Sequence, residues 1–267
     1  MQKGKLKERA DKIVVDRGLA ESRHKAQALI MAGVVYSGET RIDKPGEKLS
    51  VDQAIFIKEQ IMFVSRGGLK LEEALEKFKI SVEGKVVADL GSSTGGFTDC
   101  LLQRGARKVY AVDVDIRQID QRLRKDPRVN LIQKNARYLD AEDFDDPLEL
   151  VTLDLSFISV LKVLPALRKL LGEGLLLALI KPQFEVGKGQ VGKKGVIRDP
   201  GLHQDVLVRM VKEGEEMGFY PKGLFRPSTR GQKGNQEFFL LWSLRKSNLH
   251  SEHIKILIKE AVWDGKN

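Results

Sequence analysis

The sequence predicts an α/β protein: a doubly wound, mostly parallel sheet of seven strands preceded by a small α+β domain. Three observations carry that reading. From Val86 onward, short apolar, β-prone runs alternate with helical spacers, the pattern of repeated strand-helix units covered on both faces. The first of these runs ends in an acidic, glycine-rich turn, Asp89-Leu90-Gly91-Ser92-Ser93-Thr94-Gly95-Gly96-Phe97, which leads into a helix-prone segment from Thr98 to Arg104. Residues 1–60 follow a different pattern, two short amphipathic helices and then scattered β-prone pieces.

With 267 residues the chain can form one large and one small domain with a substantial core. Hydrophobic residues at 42% and charged residues at 31% fit a globular protein. The 46 lysines and arginines exceed the 37 acids and leave a net charge of +9, which favours a polyanionic partner. Cys100 is the only cysteine, so an intrachain disulfide and a cysteine-rich zinc site are excluded and a reducing cytoplasm is expected. No signal-peptide pattern follows the basic N-terminus, and the longest strongly apolar run, Leu175–Ile180, is too short to span a bilayer. No membrane association is expected.

The first helix is expected around Leu6, Ala10, Ile13 and Val14, with a stop at Gly18. Ser22 can cap a second helix from Arg23 to Ala32 whose apolar face is Ala26, Leu29 and Ile30. Residues 1–25 carry eight basic side chains against four acids, and the second helix would present Arg23, Lys25 and Gln27 beside a small sheet made from Val34–Tyr36 and Ala54–Ile57. From Glu8 to Val35 this pattern resembles the S4 RNA-binding domain, over about residues 6–60. The resemblance implies that Arg9, Ser22, Arg23, Lys25 and Gln27 lie on or beside an RNA-facing surface.

A boundary is expected near residues 58–64. The chain then divides into an S4-like domain (1–60), a linker and leading helix (61–80), a catalytic domain (81–246) and a C-terminal helix (247–267). The turn Ser65-Arg66-Gly67-Gly68 opens the leading helix and puts Lys70 in its first turn, a position usually exposed to solvent. The expected strands are Val86–Leu90, Lys108–Asp113, Val129–Ile132, Leu150–Leu155, Leu175–Ile180, Tyr220–Phe225 and Glu237–Leu244.

In open sheets of this kind ligands bind beyond the carboxyl ends of the strands. The spacing of Gly91, Gly95 and Gly96 is not the dinucleotide pattern, and an acid comes first. Such a turn suits S-adenosylmethionine, which carries an amine and a sulfonium. The candidate cofactor residues are therefore Asp89, Gly91, Ser92, Ser93, Thr94, Gly95, Gly96 and Phe97 in the turn. Further along are Asp113 and Val114 after the second strand, with Asp113 as the ribose acceptor, Asn135 and Ala136 near the adenine, and Asp154. After the fifth strand comes Lys181, fixed before Pro182 and partly desolvated, and the last strand opens at Glu237.

Lys70, Asp154, Lys181 and Glu237 match, in order and in strand-end placement, the Lys-Asp-Lys-Glu tetrad of the FtsJ-like ribose 2′-O-methyltransferases. With the S4-like start, the Ser65–Lys70 segment and the Asp89–Asp99 segment, nearly the whole chain resembles the TlyA family, also called hemolysin A. The resemblance implies a seven-stranded class I (Rossmann-like) methyltransferase domain, S-adenosylmethionine as cofactor, and 2′-O-methylation of cytidine in ribosomal RNA or ribosomal subunits. It also implies that Lys181 is the base or orienter, that Lys70 and Glu237 position the hydroxyl, and that Asp154 holds Lys181.

Other acceptors fit less well. Leu155-Ser156-Phe157 stands where amino-group methyltransferases commonly show a Pro-Pro-aromatic run, and Cys100, in a helix beside Leu101 and Leu102, reads as core rather than as a nucleophile. Two basic glycine-rich loops, Lys181–Arg198 and Lys222–Lys233, add Lys188, Lys193, Lys194, Arg198, Arg226, Arg230 and Lys233, with Arg66, as RNA contacts. The four histidines show no ligand-like grouping, so no metal is expected. Two competing readings are a membrane-active, hemolysin-like protein, whose only candidate segment is His250–Trp263, and a non-catalytic RNA-binding assembly factor.

Overall fold

The computed structural model describes residues 6–38, 40–57, 62–187, 189–192, 195–246 and 251–263, without the side chains of 232, 251 and 252. The chain divides into two compact units, Met1–Arg66 and Gly67–Asn267.

In the first unit, strand β1 (Lys7–Arg9) leads directly into helix α1 (Ala10–Asp16), and α2 (Arg23–Met31) follows. Ser22 caps α2, its hydroxyl accepting from the Lys25 amide at 3.2 Å. Strands β2 (Val35–Ser37), β3 (Thr40–Arg41) and β5 (Phe56–Ile57) form one small antiparallel sheet, and β4 (Lys48–Ser50) pairs with β1. The apolar faces of α1 and α2 meet over Ile13, Val14, Ala26, Leu29, Ile30, Val35 and Ile42. The expected helical role of Leu6 is corrected: the chain is extended from Lys7 to Arg9, where backbone pairing with β4 outweighs helical periodicity, and Leu6 is exposed.

The second unit opens with α3 (Arg66–Lys77), which begins on the last residue assigned to the first. Strands β6 (Val86–Leu90), β7 (Lys108–Asp113), β8 (Val129–Gln133), β9 (Leu150–Leu153), β10 (Leu175–Ile180), β11 (Tyr220–Phe225) and β12 (Phe238–Ser243) form one sheet in the order β11-β12-β10-β9-β6-β7-β8. The five strands from β8 to β10 run parallel, while β12 is antiparallel to both β10 and β11. Every residue of β6, β9 and β12 is buried, as layers on both faces require. Those layers include α4 (Gly96–Gln103), α5 (Gln121–Arg124), α6 (Leu164–Leu170), α7 (Pro182–Glu185), α8 (Pro200–Glu216) and α9 (Ser251–Trp263).

Cys100 is fully buried in α4, so its thiol is core, and burial pushes its pKa up. The fourth strand stops at Leu153, two residues before its expected end, because the chain leaves the sheet after the Asp154 amide donates to Leu90 O. Strand β11 has its expected bounds and includes Lys222, so the basic loop that follows begins after Phe225. Ile254, Ile258, Ala261 and Val262 of α9 are buried in the core of this unit. No described helix is long and apolar enough to cross a membrane.

Candidate active site

The sheet register brings the candidate residues to one rim. Leu90 pairs with Leu153, Leu153 with Ala178, and Ile180 with Phe238. Gly91, Asp154, Lys181 and Glu237 therefore leave four neighbouring strands, β6, β9, β10 and β12, at the same edge of the sheet.

The turn after β6 is pinned by its neighbour, since the amides of Gly91 and Ser92 donate to Val112 O at 2.8 and 3.1 Å. Gly91 has a left-handed φ of 86°, and a Cβ there would stand 2.7 Å from the carbonyl oxygen of Asp154. The turn and the end of β9 are thus in direct contact. Ser93 holds a left-handed φ of 49° without being glycine, and its amide donates to Asp113 Oδ2 at 2.9 Å. The Ser92 hydroxyl is buried without a hydrogen-bond partner, an acceptor and donor left for a ligand in the turn. Asp115, the neighbour of Asp113, caps the short 3₁₀ turn Ile116–Gln118 and pairs with Arg117, which holds its carboxyl low, at about 2. Val114, between the two acids, exposes 62% of its surface, while Asn135 is an exposed cap that accepts from the Arg137 amide at 3.0 Å, with Ala136 buried behind it.

Asp89, at the head of the turn, is enclosed by protein. Its carboxylate lies beneath the turn, fully buried, accepting from Thr98 Oγ1 at 2.7 Å and Thr152 Oγ1 at 3.2 Å. Burial pushes its pKa up to about 7, against the lowering effect of the Thr98 bond. Thr98 and Phe97 are likewise buried on the inner face of α4.

Four ionic side chains form two pairs on the rim. Lys181 Nζ stands 2.8 Å from Asp154 Oδ1 and 3.0 Å from Ser156 Oγ. Lys70 Nζ and Glu237 Oε2 are 2.6 Å apart, and their side chains are only 10% and 3% exposed. Lys70 is thus not the solvent-facing lysine its place in a first helical turn suggests: it is on the buried face of α3, turned toward the sheet. Gly231 packs against the second pair so closely that a Cβ would fall 2.0 Å from Glu237 Oε1.

The descriptions of relatives bear on what this rim does. The FtsJ-like methyltransferase family model matches residues 63–244, and the S4 domain model matches residues 8–55. The chain belongs to the FtsJ-like methyltransferase family. YqxC of Bacillus subtilis is 52% identical over 88% of this chain and 85% of its own length. The 16S/23S rRNA (cytidine-2′-O)-methyltransferase TlyA of Mycobacterium tuberculosis is 42% identical over 96% of this chain and 98% of its own. A solved structure from Streptococcus thermophilus that carries a hemolysin name superposes with a TM-score of 0.74, at 41% identity, covering 97% of this chain and 96% of that one.

Several residues near the candidate site are not singled out by the sequence reading. Phe157 has a left-handed φ of 65° and is 91% exposed, with its ring centroid 4.9 Å from that of Phe184. Lys181 Nζ lies 6.0 Å from the Phe184 ring, so an open aromatic pair borders the Asp154–Lys181 pair. The only available signal was an aromatic three residues past a strand-end acid. Asn235 is a second such residue: its amide accepts from Ile197 N at 3.1 Å and donates to Gly195 O at 2.9 Å, tying the loop before β12 to the loop before α8. Glu73 does the same on another side, accepting from the Ser228 amide at 3.0 and 2.9 Å.

The predicted RNA contacts are distributed over both units. Ser22, Arg23, Lys25, Arg66, Arg198, Arg230 and Lys233 are exposed, and Arg9, Gln27 and Arg226 are partly so. Lys188, Lys193 and Lys194 lie outside the described residues. Glu185, an acid within the span of the first basic loop, is buried in α7, where it accepts from Ser159 Oγ at 2.6 Å and from the Val160 amide at 2.8 Å. Among the described residues no three His, Cys, Asp or Glu side chains are grouped as metal ligands.

Proposed function

We propose that this protein transfers a methyl group from S-adenosylmethionine to the ribose 2′-hydroxyl of a cytidine in ribosomal RNA, in the cytoplasm. The observation that carries the reading is the rim itself: the glycine turn, Asp154, Lys181 and Glu237 leave four adjacent strands, with the acids and lysines already paired. The name of the tuberculosis relative, over nearly the full length of both chains, supports the substrate and the position of methylation.

The residues of the turn suit the cofactor. The unpartnered Ser92 hydroxyl and the close backbone packing at Gly91 mark a cradle for its amino-acid end. Asp113 would take the ribose hydroxyls, and exposed Val114 would cover the adenine. Asp89 acts indirectly, by holding Thr98 at the start of α4 and Thr152 in β9. When bound, the cofactor supplies a methyl group already activated on sulfur, so the protein has to align the acceptor and remove one proton.

Lys181 is the proton acceptor in this account, acting as the neutral amine after its ammonium has released its own proton to solvent. It stands directly beyond β10 at the crevice, and Asp154 stabilises the positive charge it acquires. General-base assistance of this kind contributes roughly 10²–10⁴-fold. Lys70 and Glu237 hold each other in place and position the ribose, and Phe157 with Phe184 offers the target base an aromatic face once it leaves its stack. The hemolysin names among relatives raise a membrane-active reading, but the apolar face of α9 is already packed into the core, which favours the enzyme. Incubation with tritiated S-adenosylmethionine and each purified ribosomal subunit tests the proposal. Wild type should label RNA, and Lys181→Ala and Asp154→Ala should label it at least about a hundredfold more slowly; equal labelling by the variants would refute the assignment.

A further inference from the structure

Asp11 is fully buried at the start of α1, yet its carboxylate gathers three side chains of the surface around it. Arg9 donates to both oxygens, Nε to Oδ1 at 3.0 Å and Nη2 to Oδ2 at 2.9 Å. Arg23 Nε and Gln27 Nε2 donate to Oδ2 at 3.1 and 2.9 Å. These donors come from β1 and from the first two turns of α2, so the carboxylate joins elements distant in sequence. Gly46 leaves room for the arrangement, since a Cβ there would stand 3.0 Å from Arg9 Nη1.

We propose that Asp11 is a positioning residue that builds Arg9, Arg23 and Gln27 into a preformed receptor for a phosphodiester of the RNA; the inference rests on RNA being the substrate. One carboxylate between two guanidinium groups leaves the cluster with a net positive charge. The side chains of Arg9 and Arg23 are 39% and 57% exposed, so both can meet an anion without leaving Asp11. Arg23 engages the carboxylate through Nε, which leaves its two terminal amino groups for another acceptor. Free arginines must give up their rotamer freedom to clamp a phosphate, whereas these are already held.

The proposal reverses the sign that simple electrostatics gives. If Asp11 merely neutralised the arginines, its removal would strengthen RNA binding. If it positions them, removal weakens binding although the protein gains positive charge. The experiment measures anisotropy of a labelled ribosomal RNA fragment with the full chain at a series of salt concentrations, for wild type, Asp11→Asn, Arg23→Lys and Lys12→Ala. Lys12 is an exposed cation of α1, paired with Glu8 rather than Asp11, and serves as the charge control. Asp11→Asn should weaken binding by about fivefold or more and lower the salt slope by about one phosphate contact, with affinity for S-adenosylmethionine unchanged. Arg23→Lys, which keeps the charge but loses the Nε bond, should lose a similar factor, and Lys12→Ala less than about twofold.

Asp11→Asn binding RNA as tightly as wild type, or more tightly, would overturn the inference. If Asp11→Asn does not fold, Arg23→Lys decides: undiminished affinity at an unchanged melting temperature would overturn it equally. A wild type that methylates ribosomal RNA beside an Asp11→Asn of full affinity would sink this inference alone, whereas a wild type that labels no RNA would sink the proposed function.

Discussion

Breaking the Lys70–Glu237 pair from one side should cost far more than removing both charges. The pair is 2.6 Å long with side chains 10% and 3% exposed, so Lys70→Met leaves a carboxylate buried with no cation. Loss of one partner of a buried pair costs about 3–5 kcal/mol, while exchanging both partners for neutral groups of similar volume is often close to neutral. For a unit the size of residues 67–267, about 2–4 °C of melting temperature corresponds to each kcal/mol, so Lys70→Met should lower the transition by about 10 °C. The double variant Lys70→Met/Glu237→Gln should recover most of that loss while remaining inactive in methyl transfer. Calorimetry of wild type, both single variants and the double variant closes the cycle, with an expected coupling of about 2 kcal/mol or more. Strictly additive losses, or a Lys70→Met that melts like wild type, would refute the reasoning.

Three further outcomes follow from the same geometry. Gly231→Ala places a Cβ 2.0 Å from Glu237 Oε1, so it should lower kcat at least about tenfold while the cofactor's Kd, measured by titration calorimetry, stays within about twofold. Phe157→Ala should raise KM for RNA about tenfold through the loss of one stacking face worth about 1–3 kcal/mol, again with cofactor affinity intact; an unchanged KM would remove Phe157 from the substrate site. Asp89, with its folded pKa up at about 7 against an unfolded value near 4, holds its proton more tightly when folded. Its contribution to stability is therefore fully present below about pH 4 and falls as the pH rises toward 7, by about 4 kcal/mol in all. Urea melts across that range should show the decline in wild type and not in Asp89→Asn, and parallel curves would contradict the assignment.

How far the sequence discloses this protein depends on which interactions are local. The strands β6, β7 and β10 read directly from apolar runs because strands buried on both faces need nothing else. The short β1 does not, since its pairing with β4 lies some forty residues away and overrides the helical period that includes Leu6. The glycine turn was legible as a turn, but its division of labour was not. Asp89 faces inward to Thr98 and Thr152, and Ser92 carries the unpartnered hydroxyl, distinctions that depend on how β9 packs beside β6. Lys70 shows the limit most clearly, because a lysine in a helix's first turn has no local reason to be buried, and its partner Glu237 is 167 residues away in the chain. Resemblance to a family supplied that connection where residue patterning could not. Asn235, Glu73 and Asp11 went unread for the same reason, each being a polar residue whose partners are gathered only by the fold.

The product nucleoside is the most direct test of the central claim. Subunits methylated by wild type should be hydrolysed with alkali and, in parallel, digested to nucleosides for mass spectrometry. A methyl on the 2′-oxygen blocks the attack that cleaves the adjoining phosphodiester, so the label should survive alkali in a dinucleotide and co-elute after digestion with 2′-O-methylcytidine. Label released as a mononucleotide, or carried on a base, would contradict the account.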